Sequence, residues 1–551
     1  MSVKYYGIYL AYAPGLDLRH EGLGRYLAAF VKGASERADV KFVLVCPSWS
    51  RNSLVELFSS EGVSDEQLEI VSPASKPMLL RVYEAYLDRK KRRRKSVVRR
   101  WVADKFYGCK RALLEHAEQR LVMTNSIGGI LLLLIEAFIA ALVAVAISPL
   151  LLFLVPLVLL RMGKRLARKV LKPLKKINIW FTGAVGEPKD DAFVLRLYRR
   201  MEVVESERML TIINRMHKVR AWYSPTAFWP AFNEIKTPKL MCVPDVVLSD
   251  FPVGFSRVGG DRYLQTFEAV RKAIQTGDHF VTYSNAIKWD TLVDHYAVRP
   301  SSVTVIHHAP NILSQWVTTR GFKDLDATST HYCSTLLSSA LRKSSNKNYT
   351  VGFMSSEFKF LFYASQFRPN KNMLTLLRAY EYLLRHEFIT HKLVLTGDPE
   401  KFPMVKKFIA EHGLQNDVLC LYGLSVQELA ACYRLADVAV NPSLSEGGCP
   451  FTFTEALSVG TPVVMARIAV TEEVLTDEEM REKTFFDPYD WRDMAARIQW
   501  ALHNREALVD LQKQTYERLV SRTWTDVVNE HIDVLDSISA EVQPVLKEAV
   551  A

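Results

Sequence analysis

Residues 441–466 read NPSLSEGGCPFTFTEALSVGTPVVMA, and the order of residue types in this stretch decides the fold. An apolar strand closes at Asn441, a loop of small residues with two glycines follows, and a helix is predicted from about Phe453. TPVVM at 461–465 then begins another strand. Gly447 and Gly448 leave room for backbone N–H groups to approach an anion, and the helix start after them adds a favourable dipole. Glu446 and Glu455 bracket the loop as acceptors for hydroxyl groups. A polyhydroxylated phosphate ester suits these groups; a glycine turn with two solvated glutamates suits the pattern equally well.

The same alternation extends outward on both sides. FKFLFYASQ (358–366) predicts a strand, followed by helix 371–386, strand 392–396, helix 402–412, strand 418–421, helix 426–435 and strand 437–441. The N-terminal half begins with strand 3–11, a loop to Leu23, helix 24–35 and strand 40–46. Alternation resumes near 219–223, 239–243, 280–283 and 302–306. Two successive β/α units predict an α/β fold of two doubly wound, Rossmann-like domains facing a cleft, with ligands beyond the carboxyl ends of the strands. The expected boundaries are a first domain over 1–325 interrupted by an insert at 76–180, a polar linker over 326–354, a second domain over 355–520 and a C-terminal helix over 521–551. Residues 491–538 read as helical throughout.

The net charge of +11 is local. Residues 89–111 hold twelve Lys/Arg and 161–176 hold eight; without these runs, 51 basic residues face 59 acidic ones. A surface that binds nucleic acid in general is excluded by that balance. Between the runs lies GGILLLLIEAFIAALVAVAISPLLLFLVPLVLLR (128–161), in which Glu136 is the one ionisable residue before Arg161. A soluble helix rarely stays apolar on all sides for so long, so membrane insertion is expected. As one straight helix it would span about 50 Å, beyond a hydrocarbon core of about 30 Å. Pro149 and Pro156 break it, and basic flanks on both sides place both ends on the cytoplasmic face. A helical hairpin over 128–160 that enters the bilayer and returns, held by Lys/Arg against anionic lipid, meets these constraints. Glu136 would be an intramembrane carboxylate or a protonated, paired group.

The seven cysteines are scattered without a CxxC pair, which fits a reducing compartment, and the N-terminus shows no signal peptide.

The block EGGCPFTFTEALSVGTPV resembles the donor site of family-4 retaining glycosyltransferases, which have the two-domain GT-B fold. Eight residues separate Glu446 from Glu455, where that family usually has seven. Either Glu446 itself or a shifted loop backbone then meets the sugar, while Glu455 would hold the ribose hydroxyls. The resemblance makes Gly447, Gly448, Cys449, Pro450, Phe451 and Thr452 donor-binding, together with Gly397 of LVLTGDPE and Gly423 of LYGLSVQELAACYRLADVAVNPS. YASQFRPNKN (363–372) resembles the family's diphosphate loop. Lys371 holds the expected place; Gln366 stands where an Arg is usual, and Arg368 offers the cation two residues on. This QFRPNK form is similar to mannosyltransferases that extend dolichol-linked oligosaccharides, so GDP-mannose is the first donor expected and UDP-sugars come next.

By the same resemblance the first domain takes the acceptor. HEGLGRYLAAF (20–30) looks like its glycine loop and first helix, with Gly22, Gly24 and Arg25 facing the donor. Asp245 stands in MCVPDVVLSD, where Pro244 replaces the family's His. His307 and His308 lie near the domain junction, and Asp324-Leu-Asp326 is a formal DxD. GT-B enzymes generally need no bound metal, so neither a metal nor another cofactor is expected. The resemblance implies transfer of a sugar from a nucleotide diphosphate, with Arg368, Lys371 and Glu446 catalytic. The hairpin implies a polyprenyl-linked glycan acceptor on the cytoplasmic face of a membrane, such as the bacterial inner membrane, in cell-surface polysaccharide or glycolipid synthesis. A polysaccharide-elongating transferase merely tethered to the bilayer, or a scaffold with a degenerate transferase domain, remains the alternative.

Overall fold

The computed structural model describes residues 3–15, 18, 22–64, 66–78, 80–81, 84–85, 135, 193–259, 261–344 and 358–548. The expected hairpin at 128–160 (Ile135 apart), Glu136 and both basic runs lie outside these residues. Among the described residues no helix is long and apolar enough to cross a membrane.

The chain divides into two compact units, one of Met1–Ala74 with Tyr198–Ala551 and one of Ser75–Leu197. The first unit holds two parallel sheets. One contains β1 (Lys4–Tyr9), β2 (Val40–Val45), β3 (Leu68–Val71), β4 (Val219–Ser224), β5 (Lys239–Cys242), β6 (His279–Thr282) and β7 (Val303–Val305), in the order β3-β2-β1-β4-β5-β6-β7. The other contains β8 (Phe360–Tyr363), β9 (Lys392–Thr396), β10 (Val418–Leu421), β11 (Val438–Asn441), β12 (Val463–Ala466) and β13 (Phe485–Phe486), in the order β10-β9-β8-β11-β12-β13. Parallel strands are covered on both faces, so sequences such as FLFY and VVMA are buried at every position. In each sheet the order reverses beside the first strand, at β1/β4 and at β8/β11. A crevice opens there beyond the strand ends.

Seven helices bear on the site: α1 (Gly22–Gly33), α2 (Ile287–His295, wound as a π-helix), α3 (Leu325–Leu341), α4 (Met373–Arg385), α5 (Phe451–Leu457), α6 (Ala469–Val474) and α7 (Trp524–Glu548). Three expectations change here. The stretch 326–354 is not a linker throughout, because Leu325–Leu341 is helical and buries Cys333, Leu337, Ala340 and Leu341 on one face. Its many hydroxyls disguised that face. Thr328 and Ser334 return their Oγ hydrogens to carbonyls four residues back, Asp324 and Thr330, so the polar side chains are satisfied on the helix itself. Second, β3 and the two-residue β13 are additions to the strands expected from the sequence. Third, the helical C-terminal stretch is three helices, Trp491–His503, Arg505–Val520 and α7.

Helix α7 belongs to the N-terminal core. Val527, Val528, Ile532 and Leu535 are buried in one cluster with Leu27, Phe30 and Val31 of α1. The helices cross closely at Gly33, where a Cβ would stand 2.5 Å from the Trp524 carbonyl oxygen. Asp536 fastens the crossing to β1 by accepting from Lys4 Nζ and Tyr6 Oη, each at 2.6 Å.

His531 of α7 is fully buried, edge-on to the rings of Phe30 and Tyr223 at 5.1 and 5.3 Å. Its Nδ1 bonds the Val527 carbonyl at 2.7 Å, while Nε2 has no partner among the described residues. Burial lowers its pKa from 6.5 to about 4. The unfolded chain binds this proton first, so His531's contribution to stability is complete above about pH 6.5 and is lost as pH falls toward 4. Urea unfolding at pH 7 and pH 4.5 is expected to differ by up to about 3 kcal/mol from this residue alone. His531→Met should shrink that difference; a pH dependence identical to wild type would refute the assignment.

Candidate functional site

The β8/β11 crevice is built from two loops. Beyond β8 the chain passes Gln366, Arg368 and a turn at Pro369–Lys371, and Asn372 then takes left-handed backbone (φ 52°) to start α4. Asn tolerates that conformation better than most residues, which explains the PNKN sequence. Beyond β11 runs the loop from Pro442 to Pro450, ending at α5. Asn370 stitches the two loops together. Its carbonyl accepts from Leu444 N–H at 2.8 Å and Ser443 Oγ at 3.3 Å, and its Nδ2 donates to the Ser445 carbonyl at 3.2 Å. The stitch places Lys371 Nζ 2.6 Å from Glu446 Oε1 and 3.3 Å from Ser443 Oγ. Arg368 lies at the rim, exposed, with Nη2 donating to Gln366 Oε1 at 3.1 Å.

Glu455 of α5 is buried, and its Oε1 accepts from Asn311 Nδ2 at 2.5 Å. Thr452 is buried too, with Oγ1 accepting from Asn441 Nδ2 at 3.4 Å, whereas Phe451 keeps 38% of its surface. Burial and then Glu446 push the Cys449 thiol up to about 12, so it is uncharged at neutral pH. Gly397 sits beneath Phe367, where a Cβ would be 2.5 Å from the ring. Gly423 occupies a left-handed turn (φ 63°), and its carbonyl accepts from Lys343 Nζ at 2.9 Å.

The glycines of the loop also meet a packing need that their sequence did not show. Neither Gly447 nor Gly448 has positive φ. A Cβ on Gly447 would stand 1.8 Å from the Pro244 carbonyl oxygen, and one on Gly448 would stand 2.8 Å from the His308 ring. They let the N-terminal domain approach. Asp245 is thereby brought beside the loop, its N–H nitrogen 3.3 Å from that hypothetical Gly447 Cβ. Burial raises the pKa of its carboxyl; Lys371 and Arg368 oppose the rise, while Glu446 and Asp250 add to it.

Gly22 and Gly24 lie at the start of α1, and the Gly24 backbone packs on Leu18, a Cβ there falling 2.0 Å from its carbonyl oxygen. No contact ties either glycine to the Lys371–Glu446 pair among the described residues, and the Arg25 side chain is outside them. His308 is half-buried and packs against Phe451 and Tyr283, at ring distances of 4.5 and 5.5 Å, and desolvation lowers its pKa. His307 Nδ1 bonds the Tyr283 carbonyl at 2.8 Å. Asp324 caps α3 by accepting from Ala327 N–H at 2.9 Å, and Asp326 pairs with Arg434 at 2.6 Å, so the DxD is spent on local structure. Sequence reasoning missed Asn311, Asn370, Ser443 and Ser284, the last donating to the Gly447 carbonyl at 3.0 Å. None carries a charge, and only their contacts mark them.

A cavity of about 410 Å³ lies behind the loop, lined by Tyr283, Asn285, His308, Cys449, Glu473 and Arg522 among others. Lys371, Glu446 and Glu455 do not line it.

Residues 351–518 match the family model described as Glycosyl transferases group 1. A 107-residue stretch, 19% of this chain, is 36% identical to the MMP alpha-(1->4)-mannosyltransferase of Mycolicibacterium hassiacum. The match spans a quarter of that protein's length. A glycosyltransferase from Rickettsia africae ESF-5 superposes over 98% of this chain and 99% of its own, with TM-score 0.51 and 12% identity. The N-terminal domain of trehalose-6-phosphate phosphatase from Candida albicans covers 98% of this chain and 97% of its own, with TM-score 0.55 and 12% identity. The structural likenesses show the fold alone: two parallel-sheet α/β domains in a GT-B-like arrangement. With the family match, they support a transferase that carries a glycosyltransferase domain.

The Gly447 contact is testable. Gly447→Ala meets the Pro244 backbone, which has no flexible end to yield, so the domains are expected to separate at a cost of about 1–3 kcal/mol. Small-angle scattering should show a larger radius of gyration and calorimetry a lower Tm. Unchanged scattering would mean that the contact is not a constraint.

Proposed function

We propose that this chain is a retaining glycosyltransferase that moves a sugar from a nucleotide-diphosphate donor, GDP-mannose first, to a lipid-linked glycan acceptor. The observation that carries the reading is the Lys371–Glu446 pair at the β8/β11 switch point, inside the Glycosyl transferases group 1 match. A diphosphate arriving in this crevice meets Lys371 and, at the rim, Arg368. It takes over Lys371 from Glu446, which is then free to accept from a sugar hydroxyl. The bond from the anomeric carbon to the leaving phosphate oxygen breaks as the acceptor oxygen bonds that carbon, and the acceptor's proton departs with the nucleoside diphosphate. Lys371 and Arg368 balance the charge developing on that leaving group. Glu455 accepts from the ribose hydroxyls, and Asp245 faces the acceptor. No metal is needed for these steps.

Mannose is favoured by QFRPNK and by the mannosyltransferase relative. The lipid acceptor and a place on the cytoplasmic face of a membrane, the bacterial inner membrane, rest on the apolar segment 128–160 between its two basic runs.

GDP is expected to raise the Tm of the wild-type protein, as any ligand of the folded state does. Lys371→Ala should lower kcat by about 10²–10³-fold. Glu455→Ala should weaken donor binding by roughly 10–100-fold, as loss of a charged hydrogen-bonding partner does. Transfer that survives both substitutions unchanged would sink the assignment. Deleting 128–160 should abolish transfer to a lipid-linked acceptor while sparing a soluble analogue; equal retention of both reduces the segment to a tether.

A further inference from the structure

Ser284, Asn285 and Ala286 are consecutive residues between β6 and α2, and all three hold the C-terminal domain. Ser284 Oγ donates to the Gly447 carbonyl at 3.0 Å and accepts from Ile287 N–H at 3.3 Å. Asn285 donates its backbone N–H and its Nδ2 to Glu473 Oε1, at 2.9 and 3.0 Å. Ala286 N–H donates to Glu473 Oε2 at 3.0 Å. A carboxylate on α6 of one domain thus occupies the N-terminus of α2 in the other, where first-turn N–H groups lack partners within the helix.

Behind this junction is the 410 Å³ cavity, lined by Asn285 and Glu473 themselves and by Cys449 of the loop. The polar contacts of one three-residue turn reach two elements of the C-terminal domain at once: Ser284 holds the loop and its two neighbours hold Glu473.

We propose that Glu473 is a positioning residue, the catch of an interdomain latch that holds the Gly447 backbone, and Glu446 beside it, in line with Lys371 and the acceptor side. Its relevance to turnover rests on the transfer reaction proposed above; the latch itself does not. Glu473 touches no group assigned to the donor. Its loss acts through the Ser284 turn, by letting the domains part, a hinge motion that loosens one contact set while each domain keeps its core.

The test uses the full chain with Glu473→Ala and Glu473→Gln. Glu473→Ala is expected to lower kcat by about tenfold or more, while GDP, bound by the C-terminal domain, keeps its calorimetric affinity within about twofold. The radius of gyration should rise, with the Tm close to wild type. Glu473→Gln keeps one carbonyl acceptor and should recover part of both the rate and the compactness; it carries the same readouts if the alanine variant fails to fold. A kcat equal to wild type, an unchanged radius, or GDP affinity falling in step with kcat would each overturn the proposal. If the wild-type protein transfers no sugar, the reaction fails on its own, and scattering still decides the latch: a larger radius in Glu473→Ala keeps it and an equal radius removes it.

Discussion

Lys371 and Glu446 meet at 2.6 Å with side chains only 18% and 19% exposed, and the rest of the site is arranged around that pair. Withdrawing an ammonium and a carboxylate from water is costly, and their attraction recovers the loss only where the geometry is good and further hydrogen bonds assist. Ser443 supplies one such bond to Lys371, and Asn370 fixes the two loops from which the ions project. The pair therefore adds little to stability by itself. On the transfer reaction proposed above its use is exchange, because either ion can change partners as long as neither is left alone. A phosphate replacing the carboxylate keeps Lys371 neutralised, and a hydroxyl donor keeps Glu446 satisfied.

The exchange requires that the β11 loop be held from its other side as well. Pro244, Ser284 and His308 of the N-terminal domain reach Gly447 and Gly448 closely enough that no side chain could intervene. Helix α7 belongs to the same arrangement. Arg522, just before it, donates Nε to the His307 carbonyl at 2.9 Å and pairs with Glu530 through both terminal nitrogens. The chain leaves the C-terminal domain at that point and embeds α7 in the core of the first domain. The domains are thus connected through a covalent crossing on one side and through the Ser284 turn on the other.

The alternation of strands and helices was plain in the sequence because buried parallel strands are nearly uniformly apolar and glycine or proline marks the turns. Glu446 and Glu455 stood out because they bracket a glycine loop that follows an apolar strand, and Lys371 through the resemblance of YASQFRPNKN to the family's diphosphate loop. What the sequence hid were relations across the fold. Asn311 meets Glu455 from 144 positions away, and Glu473 meets Asn285 from 188. Local pattern carries no trace of such pairs. The packing use of the glycines was hidden for a related reason: a residue without a Cβ signals close approach, but only the fold shows that Pro244 and His308 are among the groups that approach. Helix α3 was misread because Ser and Thr, poor helix formers in isolation, here bond to their own backbone and leave a narrow apolar stripe.

The place in the sequence where the second compact unit is inserted agrees with the strand order of the first sheet. β3 lies at one edge and β4 at the centre, so the chain must travel back over β2 and β1 between them. Any parallel crossover of this kind needs a long connection. A connection that already leaves the sheet edge accepts added length at little entropic cost, because closure entropy grows only slowly with loop length. Ser75–Leu197 enters at that step, so neither the β8/β11 crevice nor the strands around it are interrupted. The charge is divided in the same way. Both basic runs fall within the inserted stretch, and the rest of the chain carries an acidic excess. On the proposed membrane reading, attraction to anionic lipid then comes from the insert, and neither sheet carries the anchor.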